Sequence, residues 1–431
     1  MLWIQLLTVL LFIFIGARLG GIGIGYAGGA GVIALCFLGM ETSMAFIPVE
    51  VILIIMSVIA AIAAMQRAGG MEYLVHLSEK LLRKHPQYIT FLAPAVTYFM
   101  TFLAGTGHTA FSTLPVIAEV AKEQGIRPSK PLSIAVVASQ IAITASPISA
   151  AVVAFAAMLE PMGVSYLQLL TVAISSTFIA VFVGAIVANF MGGNLEDDPV
   201  YKQRLAEGLI KMRGKSNYVP NKEAKTSVYI FVGSIVLVVF YAISLSVFID
   251  QPRIGRSEAI MAIMLASAAL ISVRCKVHLA DVTQMSTFRS GMSACICVLG
   301  VAWLGSTFVN GHIDEIKEVS SVVLQSHPWM LAIILFFASM LLYSQGATTA
   351  ALMPAALAMG VSPVSAIAAF AAVSALFVLP TYPTLLAAIE MDDTGSTRIG
   401  KYVFDHPFLL PGVVTIATSV TVAFMIAKVV I

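Results

Sequence analysis

A pair of small, polar stretches broken by glycine or proline occurs once in each half of the chain, set inside otherwise apolar sequence. In the first half, Gly105-Thr106-Gly107-His108-Thr109 is followed by Thr144-Ala145-Ser146-Pro147-Ile148-Ser149. In the second half, Ser344-Gln345-Gly346-Ala347-Thr348-Thr349 is followed by Leu379-Pro380-Thr381-Tyr382-Pro383-Thr384. These residue types suit the binding of an anion without a permanent counter-charge. Helices that restart after such breaks present free N–H groups and a partial positive charge at their N-termini. Glycine lets a tip turn tightly, and Pro115, Pro147, Pro354, Pro380 and Pro383 are expected to stop helices from running through.

The candidate ligands in the first half are Thr106, Gly107, His108, Thr109, Thr144, Ser146, Pro147 and Ser149. In the second half they are Ser344, Gln345, Thr348, Thr349, Pro380, Thr381, Tyr382 and Thr384. Any one Ser or Thr among them is as readily explained by a bond to its own helix. The inference rests on the cluster, repeated in the same order. Interrupted hydrophobic segments at corresponding places in two halves mark the substrate site of a secondary transporter. No Lys or Arg sits in the central part of any apolar run, so dipoles and hydroxyls would hold the solute and also let it go. His108 is the one histidine expected at mid-membrane depth. It is either a proton-coupling or substrate-binding group, or a neutral imidazole that closes the tip. Asp392 and Asp393 are expected to end a helix at the aqueous face with Arg398 as a nearby partner, a cation site being the alternative.

These breaks need a membrane-spanning frame, and composition supplies one. Charged residues make up 11% and hydrophobic residues 59%, where soluble domains carry about 25% charged residues; mean hydropathy is +0.96. Apolar runs of roughly 17–25 residues favour helices over barrel strands, so the expected fold is an all-α polytopic membrane protein. Met1 to Ile15 is apolar, lacks a positive leader region and reads as a retained first span. The four cysteines (Cys36, Cys275, Cys295, Cys297) lie in or beside apolar runs and read as packing residues. The net charge of +2 comes with no basic stripe, so nucleic acid is not an expected partner. No Walker, HExxH, GxSxG or Cys/His metal motif is present; no metal, cofactor or enzymatic reaction is expected. The implied partners are a small solute and the lipid bilayer. Gly20 to Gly25 and Gly28 to Gly31 precede no βαβ unit and read as close helix packing, within one chain or between two.

Apolar runs and breakers divide the chain into a first membrane repeat at 1–191, a connector at 192–225 and a second membrane repeat at 226–431. The first carries a hairpin at 88–121 and a broken helix at 131–159; the second carries a hairpin at 328–359 and a broken helix at 364–391. A surface helix precedes each hairpin, at 71–85 and 312–326. In the first, Leu74, Leu77, Leu81 and Leu82 are expected on one face and Glu72, Glu79, Lys80, Arg83 and Lys84 on the other. The connector is hydrophilic and reads as a loop rather than a folded domain. With both termini outside, Arg18, Arg67, Lys80, Arg83, Lys84, Lys122, Arg127, Lys130 and the connector's Lys and Arg residues all fall on the cytoplasmic side. Arg274, Lys276, Arg289, Arg398 and Lys401 join them, while Arg253 and Arg256 dissent. That pattern makes the second repeat inverted relative to the first, so each re-entrant hairpin enters from the opposite face.

The chain resembles the Dcu family of anaerobic C4-dicarboxylate transporters of bacterial inner membranes over essentially its whole length. The resemblance is carried by Gly16-Ala17-Arg18-Leu19-Gly20-Gly21-Ile22-Gly23, Glu79-Lys80-Leu81-Leu82-Arg83, Gly105-Thr106-Gly107, Leu114-Pro115-Val116-Ile117 and Ala145-Ser146-Pro147-Ile148-Ser149. In the second half it is carried by Arg289-Ser290-Gly291-Met292, Gly300-Val301-Ala302-Trp303, Leu379-Pro380-Thr381-Tyr382-Pro383-Thr384 and Asp393-Thr394-Gly395-Ser396-Thr397-Arg398. It implies exchange of fumarate, malate or aspartate for succinate, with uptake as a further mode. It also implies substrate held between two hairpin tips and two broken helices, in a core that moves elevator-fashion against a scaffold able to dimerise. Some relatives in the wider superfamily use sodium with Ser-Asn-Thr tips; the tips here differ, which argues against sodium coupling. The alternative is a proton-coupled uptake transporter for another small carboxylate, such as gluconate or lactate. If His108 couples protons, His108→Gln removes the pH dependence of solute movement; an unaltered pH profile would assign it to the tip structure.

Overall fold

The computed structural model describes residues 1–19, 22–47, 49–210, 218–247, 253–312, 327–342, 344–380, 382–402 and 404–431. Among the described residues the chain is helical, without strands. Among these residues six helices are long and apolar enough to cross a membrane, or seven if one bent pair is a single span. The bent pair is Ile52–Arg67 and Gly70–Lys84, which meet at 72°. Gly69 makes the corner with φ +85°, a conformation in which a side chain would be strained.

Gly70–Lys84 is the surface helix expected before the first hairpin, but its faces are turned. Leu77 and Leu81 point outward, while Ser78, Glu79 and Leu82 are buried. The buried Glu79 carboxylate is compensated by Arg83 at 2.9 Å, and Arg83 in turn reaches Glu123 at 2.5 Å. An ion pair across the hairpin therefore outweighs simple amphipathic sorting. The matching stretch expected at 312–326 lies outside the described residues apart from His312, as do Lys211, Arg213 and Lys215 of the connector.

Near the N-terminus, Gly23–Phe37 lies against Ser286–Gly311. A Cβ on Gly28 would sit 2.3 Å from the Gly300 carbonyl carbon, and one on Gly300 would sit 2.0 Å from the Gly25 carbonyl oxygen. The glycine run thus serves a contact within the chain, with backbones touching directly. Gly20 and Gly21 lie outside the described residues.

The first hairpin comprises Ile89–Ala104 and Ala110–Glu123, and the first broken helix Ser129–Ile141 and Ala150–Leu159. The second hairpin comprises Met330–Leu342 and Gln345–Ala358. The second broken helix runs from Pro363–Ala369 through a 3-10 segment, Phe370–Phe377, and resumes at Pro383–Met391. These elements form the buried centre: twelve of the thirteen residues of Ser129–Ile141 are buried, and all of Phe370–Phe377. Trp3, Phe14, Phe182, Phe240 and Leu265, on the surrounding helices, expose apolar side chains as a lipid-facing surface requires.

The connector is more ordered than a plain loop. Asp198 caps the short helix Pro199–Ala206 through the Val200 and Tyr201 N–H groups and pairs with Arg127 at 2.5 Å and Arg398 at 3.0 Å. Burial alone would push the Asp198 carboxyl up; the Tyr201 and Val200 N–H groups and the two guanidinium groups outweigh it and hold it below the usual carboxylate range. Arg398 therefore partners Asp198 rather than Asp392 or Asp393. Asp392 instead accepts from Thr394, Ser396 and Thr397, and Asp393 pairs with the buried Lys122 at 2.9 Å, alongside Glu119. This cluster ties the returning arm of the first hairpin to the end of the second broken helix.

Gly300→Val should destabilise the detergent-solubilised protein by about 1–3 kcal/mol, the cost of an overpacked contact, and so lower its unfolding midpoint. An unchanged midpoint would mean that this helix pair does not need its backbone contact.

Candidate functional site

The entering arm of each hairpin is tied to the broken helix of its own half, by Thr97 in the first and Ser339 in the second. The first turns at Gly105, whose φ of +65° a glycine tolerates, then makes a 3-10 turn over Gly107–Thr109. Thr109 is buried; its hydroxyl lies 3.0 Å from that of Thr101 and donates to the Thr106 carbonyl at 3.2 Å. Gly105 packs on Ile148 of the break opposite. From that break, the Ser146 hydroxyl donates to the Phe102 carbonyl at 2.7 Å. Thr144 donates to the Ile141 carbonyl, Ser149 donates to the Ile143 carbonyl and caps Val152 N–H, and the Tyr166 hydroxyl donates to the Pro147 carbonyl. The backbone of His108 belongs to the 3-10 turn; its side chain lies outside the described residues.

The second half repeats the arrangement with different residues. Ser344 caps Gln345–Ala358 through Ala347 N–H, and the Thr348 and Thr349 hydroxyls donate to the Ser344 and Gln345 carbonyls. Ser339, in the entering arm, donates to the Ala372 carbonyl at 3.1 Å and accepts from Ala375 N–H. Thr97 does the same work in the first half, donating to the Ala135 carbonyl at 2.8 Å. Pro380 and Thr384 are buried and Tyr382 lies between them; Thr381 falls outside the described residues. Pro115 and Pro354 do not stop their helices as expected. Both sit inside the returning arms, where a proline costs one bond but does not end the helix when packing holds it.

Between halves the pairing crosses over. The returning arm of the second hairpin packs on the second piece of the first broken helix, and the returning arm of the first hairpin packs on the second piece of the second broken helix. At the first crossing two helix N-termini abut: a Cβ on Gly346 would lie 3.3 Å from the Ala150 Cβ and 3.9 Å from the Ala151 nitrogen. The first N–H groups of a helix have no intrahelical acceptor, and here the caps take only those of Val152 and Ala347.

Gln140, one turn before Thr144, joins these parts. Its carbonyl accepts from the Gln345 carboxamide at 3.1 Å and from the Ser374 hydroxyl at 3.3 Å. Its own carboxamide reaches the Thr384 hydroxyl oxygen at 3.4 Å, and its buried Oε1 has no partner among the described residues. A lone carboxamide inside an apolar run was the sequence signal for it; Ser139, Ser339 and Ser374 carried no signal beyond being hydroxyls in apolar helices.

The chemistry that results differs in emphasis from hydroxyl coordination. The hydrogens of Thr144, Ser146, Ser149, Thr348 and Thr349 already go to backbone carbonyls. Among the described residues, groups that keep a hydrogen to donate include the N–H groups at the abutting helix starts and the Thr384 hydroxyl, which accepts from Gln140. A helix N-terminus favours an anion by about 0.3–1 kcal/mol when exposed and up to ~2 kcal/mol when partly buried.

Comparison with known proteins fits this geometry. The model of the family described as "Anaerobic c4-dicarboxylate membrane transporter" matches residues 1–431. The C4-dicarboxylate transporter DcuA of Wolinella succinogenes is 62% identical over 432 residues, covering all of both chains. The DcuA of Escherichia coli K12 is 56% identical, covering 99% of each. Among solved structures, the Alcanivorax borkumensis YdaH transporter superposes with a TM-score of 0.58 at 13% identity, covering 98% of this chain and 96% of its own, a likeness of fold.

Ser146→Ala would strand the Phe102 carbonyl at the first tip, at a cost of about 1–3 kcal/mol. Thermal unfolding in detergent reads that loss; no shift would show that the tip is held by other contacts.

Proposed function

This chain belongs to the DcuA/DcuB family of anaerobic C4-dicarboxylate membrane transporters, and we propose that it exchanges fumarate, malate or aspartate for succinate across the bacterial inner membrane. The observation that carries the reading is the crossed pairing of hairpins and broken helices, with two helix N-termini abutting and the Gln345 carboxamide beside them bonded to the Gln140 carbonyl. A solute with a carboxylate at each end finds a helix-start donor group from each half. The protein supplies dipoles and one hydroxyl rather than a fixed cation, so affinity stays low enough for release on either side.

In this reading the four broken elements form a mobile core and the outer helices form the scaffold, which pairs with a second copy. Both termini face the periplasm and the two repeats are inverted in this reading, which the distribution of Lys and Arg supports. Thr106, Gly107, His108 and Thr109 approach the solute from the first tip, Ser344, Gln345, Thr348 and Thr349 from the second. The turns at Thr144–Ser149 and Pro380–Thr384 close around it.

Proteoliposomes loaded with unlabelled succinate test the reading through uptake of labelled fumarate or aspartate. Uptake should require internal dicarboxylate, persist without sodium, and fall at least tenfold in Thr384→Val at low substrate. Uptake indifferent to the internal anion would replace exchange with symport, and no uptake of any C4 acid would overturn the substrate class.

A further inference from the structure

A cavity of about 330 Å³ opens beside the Asp198 cluster, between the start of the first broken helix, the end of Tyr166–Phe190 and the loop before the last helix. Arg127, Lys130 and Arg398 line it, with Asp405 as the one lining carboxylate. Behind the wall, a single Asp198 carboxylate serves both guanidinium groups. The Lys130 ammonium donates to the Asn189 carbonyl at 3.1 Å, and among the described residues no carboxylate lies within ion-pair reach of it. Three cations therefore face two carboxylates. With Lys130 half-buried and Arg398 41% exposed, this excess of positive charge gives the cavity a field that favours an anion.

Two further groups narrow the choice of anion. The Ser129 hydroxyl accepts from the Arg127 Nε at 3.2 Å, which leaves its own hydrogen to donate. His406 also lines the cavity and is 7% exposed. Its Nε2 must donate to the Val378 carbonyl at 3.1 Å, because a carbonyl only accepts. The neutral ring then carries a lone pair on Nδ1, and that atom is buried with no partner among the described residues. The site combines cationic and hydroxyl donors for oxygens with one acceptor for an O–H. A fully ionised dicarboxylate without a hydroxyl would leave the acceptor unmet. Hydrogen phosphate, or a phosphate group with a neighbouring hydroxyl, satisfies both.

We propose that this cavity is a second anion site, distinct from the central one, which takes a phosphate group bearing or adjoining an O–H. Charge distribution puts it on the cytoplasmic face, where both free phosphate and a phosphatidylglycerol headgroup are within reach. Its occupant would brace the second broken helix, because His406 holds the Val378 carbonyl just before Leu379-Pro380.

The test uses the full chain in phosphatidylcholine nanodiscs, with inorganic phosphate titrated against chloride at constant ionic strength. The unfolding midpoint should rise and saturate with phosphate. In Lys130→Gln the saturating concentration should rise at least tenfold, while Lys401→Gln, which alters an exposed lysine outside the cavity, should match the parent. Ser129→Ala should weaken phosphate in the same sense and serves if Lys130→Gln fails to insert. With phosphatidylglycerol in the disc, a higher midpoint that phosphate no longer raises identifies a headgroup as occupant; a preserved phosphate response identifies the free ion. A phosphate effect equal in parent, Lys130→Gln and Ser129→Ala, or no effect of either phosphate source, overturns the site. Succinate stabilisation, which depends on the central site, is read separately in the same variants.

Discussion

The architecture depends on one constraint: a helix broken at membrane depth exposes carbonyl and N–H groups that lipid cannot satisfy, at several kcal/mol each. The chain meets it with short hydroxyl side chains aimed at specific carbonyls. Ser146 reaches Phe102, and Ser339 reaches Ala372. Each of these bonds contributes only about 0.5–1.5 kcal/mol net, whereas leaving its acceptor bare costs more. These hydroxyls are thereby committed to the protein, while helix-start N–H groups beyond those capped by Ser149 and Ser344 keep no intrahelical acceptor.

That division of labour explains how the centre can be both rigid and weakly charged. Carbonyl ends of the breaks are closed off by hydroxyls and by His406. Amide ends converge where Gly346 meets Ala150, and the crossed pairing requires both halves to be in place before those ends meet. Gln140 sits on this seam and touches the second hairpin and the second broken helix at once. Its position makes the two halves interdependent.

Charge is kept at one end. Lys122 lies between Glu119 and Asp393, and Asp198 between Arg127 and Arg398. Removing one partner from such a buried set leaves an uncompensated charge, so the set fixes where the connector and the loop at 392–398 dock. The run Asp393-Thr394-Gly395-Ser396-Thr397-Arg398, conspicuous as a string of polar residues, acts largely on its own chain through Asp392 and Asp198.

By itself the sequence determined the membrane class, the order of elements and the four breaks. These follow from hydropathy, from glycine and proline placement and from the repeat of polar tips, all of them local in the chain. The turned faces of Gly70–Lys84 were not legible, because burying Glu79 depends on Arg83 and a distant Glu123. Nor were the continuation of helices through Pro115 and Pro354 or the pairing of Arg398 with Asp198, since packing across the chain settles both. The central role of Gln140 likewise emerged only once two hairpins and two broken helices were brought around it. Propensity and pattern act over a few residues, whereas the partner of a buried polar group is whichever group the folded chain delivers to it. For that reason, where the chain breaks was decided by the sequence, and what each break binds to by the tertiary structure.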